Sequence, residues 1–188
     1  MAWTTLSTRT AYENPWIRVR EDQVVHPDGS RGLYGVVELR PAVFVVALDD
    51  AGRVALVEID RYTVGSSLEV PAGGSDGQEP LVAAQRELVE ETGLEASEWV
   101  ELGTQYALNG AALAPEHIFL ARGLRQVADA SREQLEEGIS GVRFVPLGEV
   151  LAMIGDGRIT DNETVAAVAL AAIRLGRLAS CPSSSPEV

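Results

Sequence analysis

Glu69-Val-Pro-Ala-Gly-Gly-Ser-Asp-Gly-Gln-Glu-Pro-Leu-Val-Ala-Ala-Gln-Arg-Glu-Leu-Val-Glu-Glu-Thr-Gly-Leu94 decides how this chain is read. A Gly-rich loop runs into a predicted helix. Pro80 suits the first helical position, where its missing N–H costs nothing, and Gly93 supplies the stop, so the spacing predicts a helix over Pro80 to Thr92. Glu87, Glu90 and Glu91 then fall at i, i+3 and i+4, on one face and within reach of a common point. Like charges so placed repel by roughly a few tenths of a kcal/mol per pair, and a divalent cation would offset that. With oxygen donors only and no His or Cys in the stretch, the donor set suits Mg²⁺ or Mn²⁺ better than zinc. Arg86 stands four residues before Glu90, at the spacing of a helical ion pair. A solvated acidic helix face is the plainer alternative, and the adjoining Gly loop and the order of residues argue against it.

Arg86-Glu87-Leu88-Val89-Glu90-Glu91-Thr92-Gly93-Leu94 resembles the second half of the Nudix box, the signature of the Nudix hydrolases, at every fixed position. The first half departs from that pattern. Gln78 stands where the family has Glu, and the loop from Gly73 is one residue short. The resemblance implies that Glu87, Glu90 and Glu91 ligate Mg²⁺ or Mn²⁺, with the Ala72 carbonyl as a further ligand. Gln78 keeps an acceptor oxygen without the charge.

The bounds of the whole chain agree with a folded globular protein. At 188 residues it has the size of one domain with a small extra lobe, and 46% hydrophobic with 23% charged residues reads as a folded globular protein. A net charge of −13 argues against nucleic-acid or anionic-membrane partners, so an anionic substrate needs a cation and a few arginines. The single cysteine, Cys181, leaves no intrachain disulfide, and no signal segment or membrane-length apolar run is seen, so the expected setting is cytoplasmic.

Outward from the box, β-prone runs at Ser7–Tyr12, Trp16–His26 and Arg31–Leu39, with a turn at 26–30, predict a small N-terminal antiparallel β-lobe over 1–40. Val43–Leu48 and Arg53–Ile59 are apolar throughout and predict a buried hairpin. Leu68–Val70, Trp99–Tyr106, His117–Ala121 and Val142–Val145 read as strands, with 108–115 a loop and 125–141 polar and turn-like. Leu147–Ile154 and Asn162–Leu178 read as helices, the second capped by Asp161. The fold expected is α/β (α+β). The resemblance implies the Nudix αβα sandwich with a mixed sheet over 41–179, and 180–188 is expected to be a disordered tail.

The runs Tyr12–Trp16, Arg61-Tyr62, Leu68–Gly73 and Val145–Leu147 through Ile159–Asp161 look like the ADP-ribose pyrophosphatase branch. That likeness implies a homodimer built through the N-terminal sheet and metal-dependent hydrolysis of a nucleoside diphosphate sugar, ADP-ribose going to AMP and ribose 5-phosphate. It also implies a catalytic Glu from the 130–141 loop, where Glu137 and Glu136 are favoured over Glu133; Glu91 of the box is the remaining catalytic candidate. Arg61 presents a fork suited to phosphate oxygens, with pairing to Glu69 as its structural alternative. Glu69 and Tyr106 complete the substrate-binding set, and Tyr62 is a further ring that could line the cleft. His117 is expected to be a packed histidine. Asn109 stands where the branch has Pro, which leaves other sugar nucleotides such as GDP-mannose open. A Nudix module that binds without turnover is the alternative of a different class.

Overall fold

The computed structural model describes residues 2–178; the expected tail and Cys181 lie outside the described residues. The chain opens with three strands, β1 (Thr4–Glu13), β2 (Ile17–Val25) and β3 (Arg31–Leu39), paired antiparallel in order. Asn14 turns the chain between the first two, its Oδ1 accepting the Trp16 and Ile17 N–H groups at 2.9 Å. β1 is exposed along its whole length.

The sandwich follows. β4 (Ala42–Ala47), β5 (Arg53–Arg61), β6 (Gly65–Glu69) and β7 (Ala72–Gly74) lead into helix α1 (Pro80–Thr92). After it come β8 (Leu94–Tyr106), β9 (Ala112–Leu113), β10 (Pro115–Gln126), α2 (Ser131–Glu137), β11 (Ile139–Pro146), α3 (Leu147–Gly155) and α4 (Asn162–Arg174). One sheet has the order β7-β4-β10-β8, and a second has β11-β5-β6. β4 and β10 run parallel while their other pairings are antiparallel, so the sheet is mixed.

The continuous apolar run of β4 is explained by its two covered faces. Val43, Val45 and Ala47 pack with Ala83, Ala84 and Leu88 of α1. Val46, on the opposite face, packs with Val150 of α3 and Val168 and Ala171 of α4. Leu56 of the second sheet joins this second cluster, and no helix of the described residues is long and apolar enough to cross a membrane.

Three expectations are corrected. The 43–48 and 53–59 runs do not form a hairpin: a turn closed by Asp49 joins them, but only Leu48 and Val54 bridge before the strands part into different sheets. Each strand has both edges taken by other partners, β4 by β7 and β10 and β5 by β6 and β11, so no edge is left for the other. The N-terminal sheet is not purely antiparallel, because β9, from the segment read as a loop, adds to β3 in parallel. Within the polar 125–141 segment, α2 forms without an apolar stripe, and none of its residues is buried.

Helix ends follow their sequence signals more closely. Gly93 takes the left-handed conformation (φ 73°) that ends α1. Asp161 caps α4 by accepting the Thr164 N–H at 2.8 Å. That last helix stops at Arg174 instead of Leu178. Arg177 N–H bonds Ala172 O and Gly176 N–H bonds Ile173 O around left-handed Gly176, a Schellman end that closes the helix there.

Candidate active site

The Gly loop and the box helix are tied together by Arg86. Its Nη1 donates to Glu90 at 2.7 Å, Nη2 donates to the Gly74 carbonyl at 2.8 Å and lies 2.9 Å from Glu87, and Nε donates to Gln78 Oε1 at 3.2 Å. The expected Arg86–Glu90 pair is therefore formed. Gln78 needs no charge to do its part, because the bond it accepts uses the amide oxygen.

Glu87 and Glu91 lie on the buried side of α1, at 4% and 2% exposure. Glu87 rests against the backbone of Gly73, where a Cβ would overlap its carboxylate oxygens, so Gly73 is required for space. Glu91 accepts the Ala72 N–H at 2.8 Å. α2 docks on the end of the box helix, Gln134 Nε2 donating to the Glu91 carbonyl at 2.8 Å, and this sets Glu137 within hydrogen-bonding reach of the Glu91 carboxyl. Left-handed Gly138 ends α2, and its carbonyl accepts the Asp60 N–H at 3.0 Å.

Burial pushes the Glu87 carboxyl up to about 7, with Arg86 opposing and Glu137 and Glu90 adding to the rise. Burial likewise raises Glu91, against the Ala72 N–H and with Glu137 and Glu87 reinforcing. Two carboxyls so raised beside a third mark a place where negative charge is crowded beyond what local cations offset.

On the neighbouring strands, Arg61 grips buried Glu69, with Nε 3.2 Å from both carboxylate oxygens and Nη2 2.6 Å from Oε2. The pairing weighed as the alternative for Arg61 is present, and it leaves Nη1 without a described partner. Val70 N–H donates to Thr164 Oγ1 at 3.0 Å, which seats the start of α4 behind this pair. Tyr106 is exposed at the end of β8, opposite Pro115, and Tyr62 is fully exposed. His117 is half-buried, its Nδ1 3.3 Å from Thr104 Oγ1. Glu136 turns to Arg132, 3.2 Å away, and Glu133 is exposed. Of the loop glutamates favoured from sequence, the structure brings Glu137 to the box.

Residues 38–168 match the NUDIX domain, and residues 3–37 match the nucleoside diphosphate sugar hydrolase N-terminal domain. The chain belongs to the Nudix family. It is 35% identical to an ADP-ribose pyrophosphatase of Mycobacterium tuberculosis, over 87% of this chain and 80% of that protein. It is 30% identical to an ADP-ribose pyrophosphatase of Bacillus subtilis, over 87% of this chain and 89% of that one. A crystal structure of an ADP compounds hydrolase superposes with a TM-score of 0.81 at 22% identity, covering 95% of this chain and 98% of that one, which establishes the Nudix sandwich. The protein is a Nudix pyrophosphatase, a hydrolase of phosphorus-containing anhydrides.

Nudix hydrolases work with divalent cations, and the donor set here fits one: hard oxygens only, two of them on buried carboxylates with raised pKa values. The side chains of Glu87, Glu90 and Glu91 are each turned to protein partners. Among the described residues, no three His, Cys, Asp or Glu side chains are arranged around a cation position. Arg86 holds Glu90 and Glu87, while Ala72 N–H holds Glu91, so like charges have taken the nearest cations and donors.

A second acidic group was missed from sequence. Glu116, on β10 and only 7% exposed, stands near Asp161 and Glu163 at the start of α4. Burial pushes it up to about 7, with Glu163 and Asp161 adding. A carboxyl whose folded pKa lies above its unfolded value favours the native state below pH 4.5 and loses that advantage as pH rises through 7. Glu116→Gln is therefore expected to raise Tm at pH 8 relative to wild type and to lower or leave it unchanged at pH 4; thermal melts at the two pH values check the sign.

Proposed function

We propose that this Nudix hydrolase cleaves the pyrophosphate of ADP-ribose, giving AMP and ribose 5-phosphate, with Mg²⁺ or Mn²⁺ bound at the box. The observation that carries this reading is the meeting of Glu87, Glu91 and Glu137 beside the Ala72–Gly73 turn, at the end of an intact Arg86–Leu94 stretch. The two ADP-ribose pyrophosphatase relatives and the matched N-terminal domain support the substrate class.

Glu87, Glu90, Glu91 and the Ala72 carbonyl would hold the cation, which supplies charge neutralisation on the phosphates and a more acidic water. The chain's own residues do the rest. Glu137, or Glu91 in its absence, accepts the proton of the attacking water; Glu136 is less well placed. Arg61, held by Glu69 through Nε and Nη2, offers Nη1 to a phosphate oxygen. Tyr106, at the same end of the sheet as the Gly loop, is assigned to the rim of the substrate cleft.

The division into a lobe at 1–40 and a catalytic domain at 41–179 carries a further proposal, a homodimer through the lobe. Trp3, Leu6, Trp16 and Leu33 are exposed there, apolar side chains that a second copy would cover. The reducing setting expected from cysteine usage makes the cytoplasm the proposed location.

Asn109 favours a second reading, another nucleoside diphosphate sugar such as GDP-mannose. Initial rates on ADP-ribose, ADP-glucose, GDP-mannose, NADH and diadenosine polyphosphates, each with Mg²⁺, Mn²⁺ or chelator, separate the readings. ADP-ribose is expected to give the highest kcat/KM. A higher value for GDP-mannose transfers the mechanism to that substrate, and binding with turnover of none of them contradicts the hydrolase.

A further inference from the structure

The end of the sandwich away from the box holds a cavity of about 540 Å³. The register fixes its distance: Ala42 of β4 pairs with Gly74 at the box end, whereas Leu48 bonds Ala121 and borders the cavity six residues on, about 20 Å at 3.3 Å per residue. Its volume lies within the range of small-molecule sites, roughly 300–1,000 Å³. Leu48, Leu147, Leu151 and Leu175 give it apolar walls, and Arg122 and Arg177 add two guanidinium groups.

Neither arginine has an ion-pair partner among the described residues, although the chain carries 28 Asp and Glu against 15 cations. Glu98 stands opposite Arg122 in the β8–β10 register, yet no ion pair joins them. Of the two carboxylates in the lining, Asp49 is committed to Arg53 at 2.7 Å and to the turn N–H groups, and Asp50 is left over. Both arginines are solvent-exposed and carried on ordered backbone, Arg122 on β10 and Arg177 in the Schellman end of α4, so water is their present partner. The remaining wall is the start of α3, which opens at Pro146 without a side-chain cap.

Two unspent guanidinium groups over an apolar floor select a ligand with an anionic end and a flat apolar body. We propose that this cavity is a second binding site, separate from the box cleft, for a nucleoside monophosphate: the phosphate lies between Arg122 and Arg177 and the base on the leucine wall. A free phosphate would fill only a small part of the volume, so the base contributes to affinity. The proposal does not depend on the substrate assigned above.

Calorimetric titration of the full-length protein in chelator, with AMP and with inorganic phosphate, tests it. AMP is expected to bind, tenfold or more tightly than phosphate. The Arg122→Gln, Arg177→Gln double variant should weaken AMP by about tenfold or more, the loss of one charge-assisted pair being enough for that factor. Ala51→Trp, at an exposed turn position on the cavity wall, should block AMP without removing a charge, while Arg61→Gln in the box cleft should leave this binding in place. Undiminished AMP binding in both cavity variants, phosphate binding as tight as AMP, or no AMP binding by the wild type overturns the proposal.

Discussion

Glu91→Gln is expected to lower kcat on the preferred substrate by about 10²–10³-fold while the protein stays folded. The two halves of that result have separate causes. Gln has the same shape and keeps an oxygen to accept the Ala72 N–H, and it cannot take the buried charged form that burial, Glu137 and Glu87 disfavour, so Tm in chelator should hold or rise. The same change removes a charged oxygen from the set assigned to the cation, so the rise in Tm on adding Mn²⁺ should shrink with kcat. Parallel melts and rates check both. A variant that keeps wild-type kcat would remove Glu91 from the machinery, and one that unfolds in chelator would make its role structural. Glu90→Gln should also cost turnover, with one difference: Arg86 then loses the charge on its 2.7 Å partner, so a small loss of Tm accompanies it.

Leu88→Ala should be the most damaging change to stability among the box residues. Leu88 is fully buried between α1 and the sheet, in the cluster with Val43, Val45 and Phe119. Truncating such a leucine costs about 2–5 kcal/mol, the transfer of the lost methyl groups plus the cavity left behind. For a protein of this length that corresponds to a fall in Tm of about 4–20 °C. Because Leu88 lies between Glu87 and the Glu90-Glu91 pair, the helix it anchors is the one that aims the carboxylates. Activity should therefore fall with temperature earlier than in the wild type; a Tm within 2 °C of wild type, roughly 1 kcal/mol or less, would contradict the packing described.

What could be read from sequence was local. Pro80 and Gly93 mark the ends of α1, and Asp161 the start of α4, because the signals lie within a turn of the ends they set. The family was equally legible, since the Arg86–Leu94 order is contiguous. Strand partnership was not. Val43–Leu48 and Arg53–Ile59 look alike to a reader of apolar runs, and their separation into two sheets depends on β10 and β11, dozens of residues away. α2 left no apolar stripe to find; Asp129 accepting the Ser131 N–H at its start, a bond from Gln134 to a carbonyl of the box helix and a glycine stop hold it. The same contact is what singles out Glu137 from Glu133 and Glu136, whose sequence contexts hardly differ. Glu116 stayed hidden because nothing beside it in the strand, Pro115 before and His117 and Ile118 after, marks it, while its acidic neighbours Asp161 and Glu163 come from the start of the last helix.

The measurement that bears most directly on the central claim is ³¹P NMR of ADP-ribose incubated with the full-length protein and Mg²⁺ or Mn²⁺. The account predicts loss of the pyrophosphate signals with equal growth of AMP and ribose 5-phosphate, stopped by excess chelator and by Glu91→Gln. Intact ADP-ribose after prolonged incubation with either ion, or hydrolysis that continues undiminished in chelator, would contradict it.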